Sequence, residues 1–108
     1  MSNYIQVVTT TEQENDALDI ARSLVQQRLA ACVQVVGPVT STYRWGGEVQ
    51  TAREWLCQVK TRRELYEAVE AAILQLHPYD VPEIVATEIL SASPAYLKWL
   101  DQQVELRP

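Results

Sequence analysis

Short runs of β-branched residues exchange with stretches of helical period along this chain. Tyr4-Ile5-Gln6-Val7-Val8-Thr9-Thr10 is β-branched and brief, which predicts a strand. Thr11-x-x-Glu14 has capping-box spacing, and Ala17, Ile20, Ala21, Leu24, Val25 and Leu29 then recur at helical period. A first helix with one apolar face is therefore expected from about Glu12 to Arg28. Strand character resumes at Cys32-Val33-Gln34-Val35-Val36, is interrupted by Gly37-Pro38, and continues from Val39 to Trp45. Gly46-Gly47 is a two-residue hairpin signal, and Glu48 to Lys60 forms the returning arm.

The second half repeats the grammar of the first. Thr61-x-x-Glu64 is another capping-box spacing, and Leu65, Ala68, Val69, Ala72, Ile73 and Leu76 give a second helix its core stripe. Pro78 ends that helix, and Ile84 to Leu90 reads as the last strand. Ser93-Pro94 supplies an N-cap followed by proline at the first helical position, opening a terminal helix through about Gln103. The order βαββαβ plus a C-terminal helix predicts an α+β fold, the ferredoxin-like sandwich, as a single domain over residues 1–108.

One dimension does not suit a lone protomer. Hairpin arms of roughly 13 residues at ~3.3 Å each reach ~43 Å, against a radius of gyration of ~13 Å for a compact domain of this length. The tip near Trp45 should overhang, and pairing with neighbouring copies would cover its aromatic surface and open edges. The alternative is that Gly37-Pro38 folds the first arm back.

Composition narrows the function classes. A net charge of -5 argues against sequence-independent binding to nucleic-acid phosphates, which needs a basic face. No basic leader or apolar run of membrane-spanning length is present, so a cytoplasmic protein with no membrane partner is expected. Cys32 and Cys57 form no CxxC pair and no disulfide framework.

Candidate chemistry concentrates in His77-Pro78-Tyr79-Asp80-Val81-Pro82-Glu83-Ile84, which gathers the only histidine, two prolines, a tyrosine and two acids. Two prolines make it a rigid connector from helix to strand, able to fix an imidazole, a phenol and carboxylates in a small volume. The plainer reading is a stiff turn with a histidine at a helix C-terminus.

Five motifs carry a family resemblance: Leu29-Ala30-Ala31-Cys32-Val33; Ser41-x-Tyr43-x-Trp45-x-Gly47 with Glu54; Lys60-Thr61; His77-Pro78-Tyr79-x-x-Pro82-Glu83-Ile84; and Tyr96-Leu97-x-Trp99. In this order and spacing the chain resembles the CutA divalent-cation tolerance family. The resemblance implies a tight homotrimer similar to the PII signalling proteins, a cytosolic location and a link to copper and other divalent metals. It implies no catalysis and no required cofactor. It also implies Cys32 and His77 as metal ligands, a thiolate and an imidazole suiting Cu(II). For Cys32 and Cys57 the competing reading is a small buried strand residue. Some relatives carry a cysteine in the first strand, where this chain has Thr9 and Thr10.

The same motifs imply a cleft between subunits lined by Tyr43, Trp45, Glu54, Lys60, His77, Tyr79 and Glu83. Such a cleft suits a PII-like sensor of a small anionic ligand, with Lys60 beside the threonine-led start of the second helix. The competing role for these residues is holding the trimer, favoured for Tyr43 and Trp45. Arg62 and Arg63 read as solvated surface, and Tyr96 and Trp99 as packing for the terminal helix. An acylphosphatase-type enzyme would need a glycine-rich anion loop where this chain has Thr9-Thr10-Thr11-Glu12. An RNA-binding variant would need aromatic stacking residues on the central strands, where Gln6-Val7-Val8 and Leu56-Cys57-Gln58-Val59 supply none.

Overall fold

A computed structural model describes residues 2–107. Its elements are β1 (Tyr4–Thr11), α1 (Glu14–Gln26), β2 (Cys32–Trp45), β3 (Glu48–Arg62), a 3-10 turn (Arg63–Leu65), α2 (Tyr66–Leu76), β4 (Val85–Glu88) and α3 (Pro94–Gln103). The sheet runs β2-β3-β1-β4 with every pairing antiparallel. That order, with α1 and α2 packed on one side, is the ferredoxin-like arrangement. Ile5 and Val7 of β1 and Cys57 and Val59 of β3 point into a core that also takes Ala17, Ile20 and Leu24 of α1 and Val69, Ala72 and Ile73 of α2. Val25 and Leu76, expected in the helical stripes, are exposed.

Neither capping box forms. The N-cap of α1 is Gln13 without a side-chain bond, and the Thr11 hydroxyl instead donates to Gln13 O at 2.8 Å. Thr61 stays in β3, fully buried, and its hydroxyl donates to Leu29 O at 2.6 Å. The Ala31 amide also donates to Lys60 O at 3.0 Å, so the α1–β2 connection is tied to the end of β3 and the strand runs on past the threonine. Tertiary hydrogen bonds outweigh the local motif here.

The hairpin behaves as its length predicts. Gly46 and Gly47 both hold positive φ, at 59° and 80°, and turn β2 into β3. Gly37-Pro38 does not fold the arm back: β2 continues through a register shift between Val36 and Val39, with a cis Gly37–Pro38 peptide. Trp55 is the last β3 residue paired with β1, so the seven residues Glu48 to Glu54 pair with β2 alone. At ~3.3 Å per residue this projection is ~23 Å, and the protomer is 44 Å long against 25 and 23 Å across.

At the opposite end α3 closes the molecule. The Ser93 hydroxyl accepts the Tyr96 amide at 3.3 Å, and Leu100 is carried into the core. Arg62 pairs with Glu64 and Asp101, each at 2.8 Å, and Arg63 with Glu88 at 3.1 Å. Both arginines are thus fastening groups rather than the solvated surface expected of them. Tyr96 packs on the core as anticipated, whereas Trp99 lies beside it, 5.5 Å between centroids, with its outer side exposed.

Candidate functional site

The connector begins where proline forbids more helix. His77 is the C-cap of α2 and takes an extended backbone, φ -77° and ψ 132°, as a residue before proline is driven to do. Its ring is buried against the end of β1. Nε2 lies 2.7 Å from Thr10 O, and the Tyr79 amide donates to Nδ1 at 3.2 Å. A carbonyl accepts and an amide donates, so the tautomer satisfying both carries its proton on Nε2 and uses the Nδ1 lone pair as acceptor. This imidazole clamps β1 to the connector.

Tyr79 continues the chain of contacts. Its ring lies 4.7 Å from that of His77, tilted by 56°, and its hydroxyl donates to Glu54 Oε2 at 2.8 Å. Burial first, and then the accepting carboxyl group of Glu54, push the Tyr79 phenol far above its ordinary range. It therefore remains a donor at neutral pH. Glu54 itself is only 8% exposed, although it sits on the projecting part of β3.

Hairpin and connector together bound an open groove of about 880 Å³. Of the residues expected in a cleft, Tyr43, Trp45, Glu54, Tyr79 and Glu83 line it, and His77 supports it from behind through Tyr79. Asp80, Val81 and Pro82 of the connector also line it, as do Ser41, Thr42 and Gln50 of the hairpin and Thr10 of β1, which the sequence reading did not place in the cleft. Gln50 was within reach of the sequence, since a two-residue turn at Gly46-Gly47 sets it opposite Tyr43.

Lys60 does not join them. It pairs with Gln6 and Cys32, four strand positions from the Leu56–Thr10 pair and so ~13 Å along the sheet, and its ammonium donates to Gln34 Oε1 at 2.6 Å. No helix starts beside it, because β3 runs on to Arg62. The groove is lined by three carboxyl groups and by no lysine or arginine. Within one protomer, therefore, Lys60 and a free helix end do not share this groove, whose charged groups are acidic.

The expected metal pair is also held apart within one protomer. Cys32 lies opposite Lys60 at one end of the sheet and His77 against Thr10 at the other. Among the described residues no three His, Cys, Asp or Glu side chains gather to hold an ion. Cys32 is half-buried and free, so a purely internal role does not describe it; Cys57 is fully buried, as expected.

A four-stranded antiparallel sheet with three α-helices, a long overhanging hairpin and an acidic, aromatic groove beneath it define a small α+β protein of ferredoxin-like order. The profile of the CutA1 divalent ion tolerance protein matches residues 5–103, and the chain belongs to that family. The divalent-cation tolerance protein CutA of Thermus thermophilus is 46% identical over 94 residues, covering 87% of this chain and 91% of that protein. Protein CutA of Mus musculus is 38% identical over 96 residues, covering 89% of this chain but 54% of that protein, so the chain spans about half of this longer relative. In structure, CutA from Xylella fastidiosa superimposes with a TM-score of 0.93 at 35% identity over 96% of this chain and 100% of that one. The divalent cation tolerance protein from Thermus thermophilus gives a TM-score of 0.91 at 42% identity over 94% of this chain and 99% of that one.

Proposed function

We propose that this protein serves divalent-cation tolerance as a non-catalytic, cytoplasmic homotrimer of PII-like arrangement, with copper or another divalent ion as its ligand. The carrying observation is the hairpin: seven residues of β3 project with β2 as sole partner, and β2 is an edge strand. Such an edge favours pairing with another copy. A second surface agrees with this. Val8, Val36, Leu56 and Val85 share the sheet face opposite the helices, and Val36 and Val85 are 43% and 48% exposed. Covering that face with neighbouring sheets would bury apolar area at about 25 cal/mol per Å².

The metal part of the reading rests on Cys32, whose free thiol lies on the same open face, and on the name of the Thermus relative, a divalent-cation tolerance protein. A thiolate favours copper among the divalent ions. Since one protomer separates Cys32 from His77, the ion is proposed where copies meet, completed by donors from more than one chain. His77 would become a ligand only by giving up the Tyr79 amide at Nδ1, and its first role is to hold the connector.

Light scattering and calorimetry with Cu(II) test both parts. We expect the mass of three chains, a lower mass for Leu56→Asp, and copper binding weakened more by Cys32→Ser than by Cys57→Ser. A one-chain mass at micromolar concentration would sink the assembly. Copper binding indifferent to Cys32→Ser and His77→Ala would sink the metal site while leaving the assembly standing.

A further inference from the structure

Neither α1 nor α3 carries a basic residue in its last turn, yet a guanidinium meets the C-terminus of each. Arg28, just beyond α1, donates to Gln102 O at 2.6 Å, and Arg107, beyond α3, donates to Gln27 O at 2.8 Å. Each arginine caps the helix that the other one follows. It brings a cation and donors to carbonyls that a helix end leaves without an intrahelical partner. The Glu105 amide adds a third tie, donating to Arg28 O at 2.9 Å.

Arg28 holds its place against its own backbone preference. The Leu29 amide donates to Leu24 O at 3.0 Å and the Arg28 amide to Val25 O at 3.1 Å, a Schellman motif with Arg28 at φ 58°. Glycine is the residue that this left-handed position favours, so an arginine is strained there. What the arginine adds is the bond of its side chain to α3.

The segment so fastened, residues 94–107, contributes no strand to the sheet and only Leu100 and Val104 to the buried core. Its remaining tie is Asp101, which accepts from the Arg62 guanidinium at 2.8 Å and from the Tyr4 hydroxyl at 2.9 Å. All of these bonds lie within one chain, and none depends on which face a neighbouring copy covers. By contrast β1 and β3 are each paired on both sides.

We infer that residues 94–107 form a strap that opens as a unit while the sheet, α1 and α2 stay folded, and that the reciprocal arginine clasp sets how often it opens. A segment held by side-chain bonds to helix-end carbonyls and by two core aliphatics opens at lower free energy than strands inside a sheet. Opening withdraws Leu100 and Val104 from the core and releases the α1–β2 connection from its tie at Arg28. The strap goes beyond the tolerance reading and needs neither a metal nor Cys32.

Amide hydrogen exchange of the whole chain, in the assembly it forms at micromolar concentration, tests this. The amides of Leu97 and Val104, bonded to Ser93 O and Leu100 O, should exchange at least ~10-fold faster than those of Cys57 and Val59 in β3. Arg28→Gly removes the clasp and also relieves the left-handed strain. It should speed the strap amides about tenfold while the β3 amides keep their protection, a split that a residue serving overall stability alone would not give. Arg107→Ala, which leaves the backbone at Arg28 untouched, should speed the strap amides about threefold or more. Strap amides as protected as β3 in the wild type would overturn the inference, as would strap exchange unchanged in the variants. Equal acceleration of strap and β3 in Arg28→Gly would do the same. If Arg28→Gly does not fold, the wild-type comparison and Arg107→Ala decide alone. None of these outcomes bears on copper binding or on the mass of the assembly, so the readings fail separately.

Discussion

The hydroxyl of Tyr79 donates to Glu54 at 2.8 Å, joining the connector after α2 to the projecting arm of β3. This bond and the clamp of His77 on Thr10 O are what hold the two walls of the groove together. Tyr79→Phe removes the donor and leaves a buried carboxyl group short of a partner. The expected cost is about 1–3 kcal/mol, a fall of several degrees in melting temperature at fixed protein concentration. An unchanged melt would mean that Glu54 is satisfied by other groups.

The same contact has a pH signature. The Tyr79 phenol is raised from an ordinary 10.0, so the folded protein holds this proton more tightly than the unfolded chain. The resulting stability is fully present below about pH 10 and is lost as pH rises from there towards the folded value. In an absorbance titration Tyr79 should be the last tyrosine to ionise, and Tyr79→Phe should delete that late step. Complete ionisation of every tyrosine near pH 10 in folded protein would contradict this.

Cys57 should be silent until the chain unfolds. It is fully buried, its thiol donates to Ala17 O at 3.5 Å, and burial pushes it from 9.0 up to about 11. Reactivity follows the thiolate, of which only ~0.1% would exist at pH 8 even with free access. Alkylation of native protein should therefore spare Cys57, and alkylation in urea should modify it. Stability linked to this proton is present below about pH 9 and declines as pH rises through about 11. Native-state labelling of Cys57 as fast as of Cys32 would show that β3 opens locally.

Much of the fold was legible because its signals are local. Gly46-Gly47 fixed a turn, Ser93-Pro94 a helix start, and Pro78 a helix end, and each does so through backbone geometry alone. The capping boxes misled because a threonine before a helix can also close a strand: Thr61 spends its hydroxyl on Leu29 O, from a segment 32 residues away. The site divides the same way. The motifs name Tyr43, Trp45, Glu54, Tyr79 and Glu83, which line one groove of the protomer, but they carry no sign of the acidic balance that Asp80 adds there. Lys60 was placed there by its neighbourhood in sequence, whereas strand pairing carries it ~13 Å along the sheet from Thr10.

Gly37 is constrained by a neighbour rather than by its own backbone. A Cβ added there would lie 2.5 Å from Trp55 Cε3 and 2.8 Å from Cδ2, and Trp55 is itself packed against the core. Gly37→Ala should cost about 1–3 kcal/mol through overpacking. Combined with Trp55→Leu, which vacates the space, the second substitution should cost less than it does alone. Strict additivity in that cycle would show that the ring moves aside freely.

Thr9 offers the reverse case, a substitution expected to stabilise. It is fully buried in β1 opposite Cys57, and its hydroxyl has no hydrogen-bond partner among the described residues. A desolvated hydroxyl without a partner opposes folding, while valine has the same branched shape and suits a strand equally well. Thr9→Val should therefore raise the urea midpoint by the equivalent of about 1 kcal/mol with the denaturant slope unchanged. Thr9→Ser, which keeps the hydroxyl and removes a buried methyl, should lower it. If Thr9→Val destabilises while Thr9→Ser does not, the hydroxyl is bonded in solution, and its partner lies in a buried water or in a neighbouring copy of the chain.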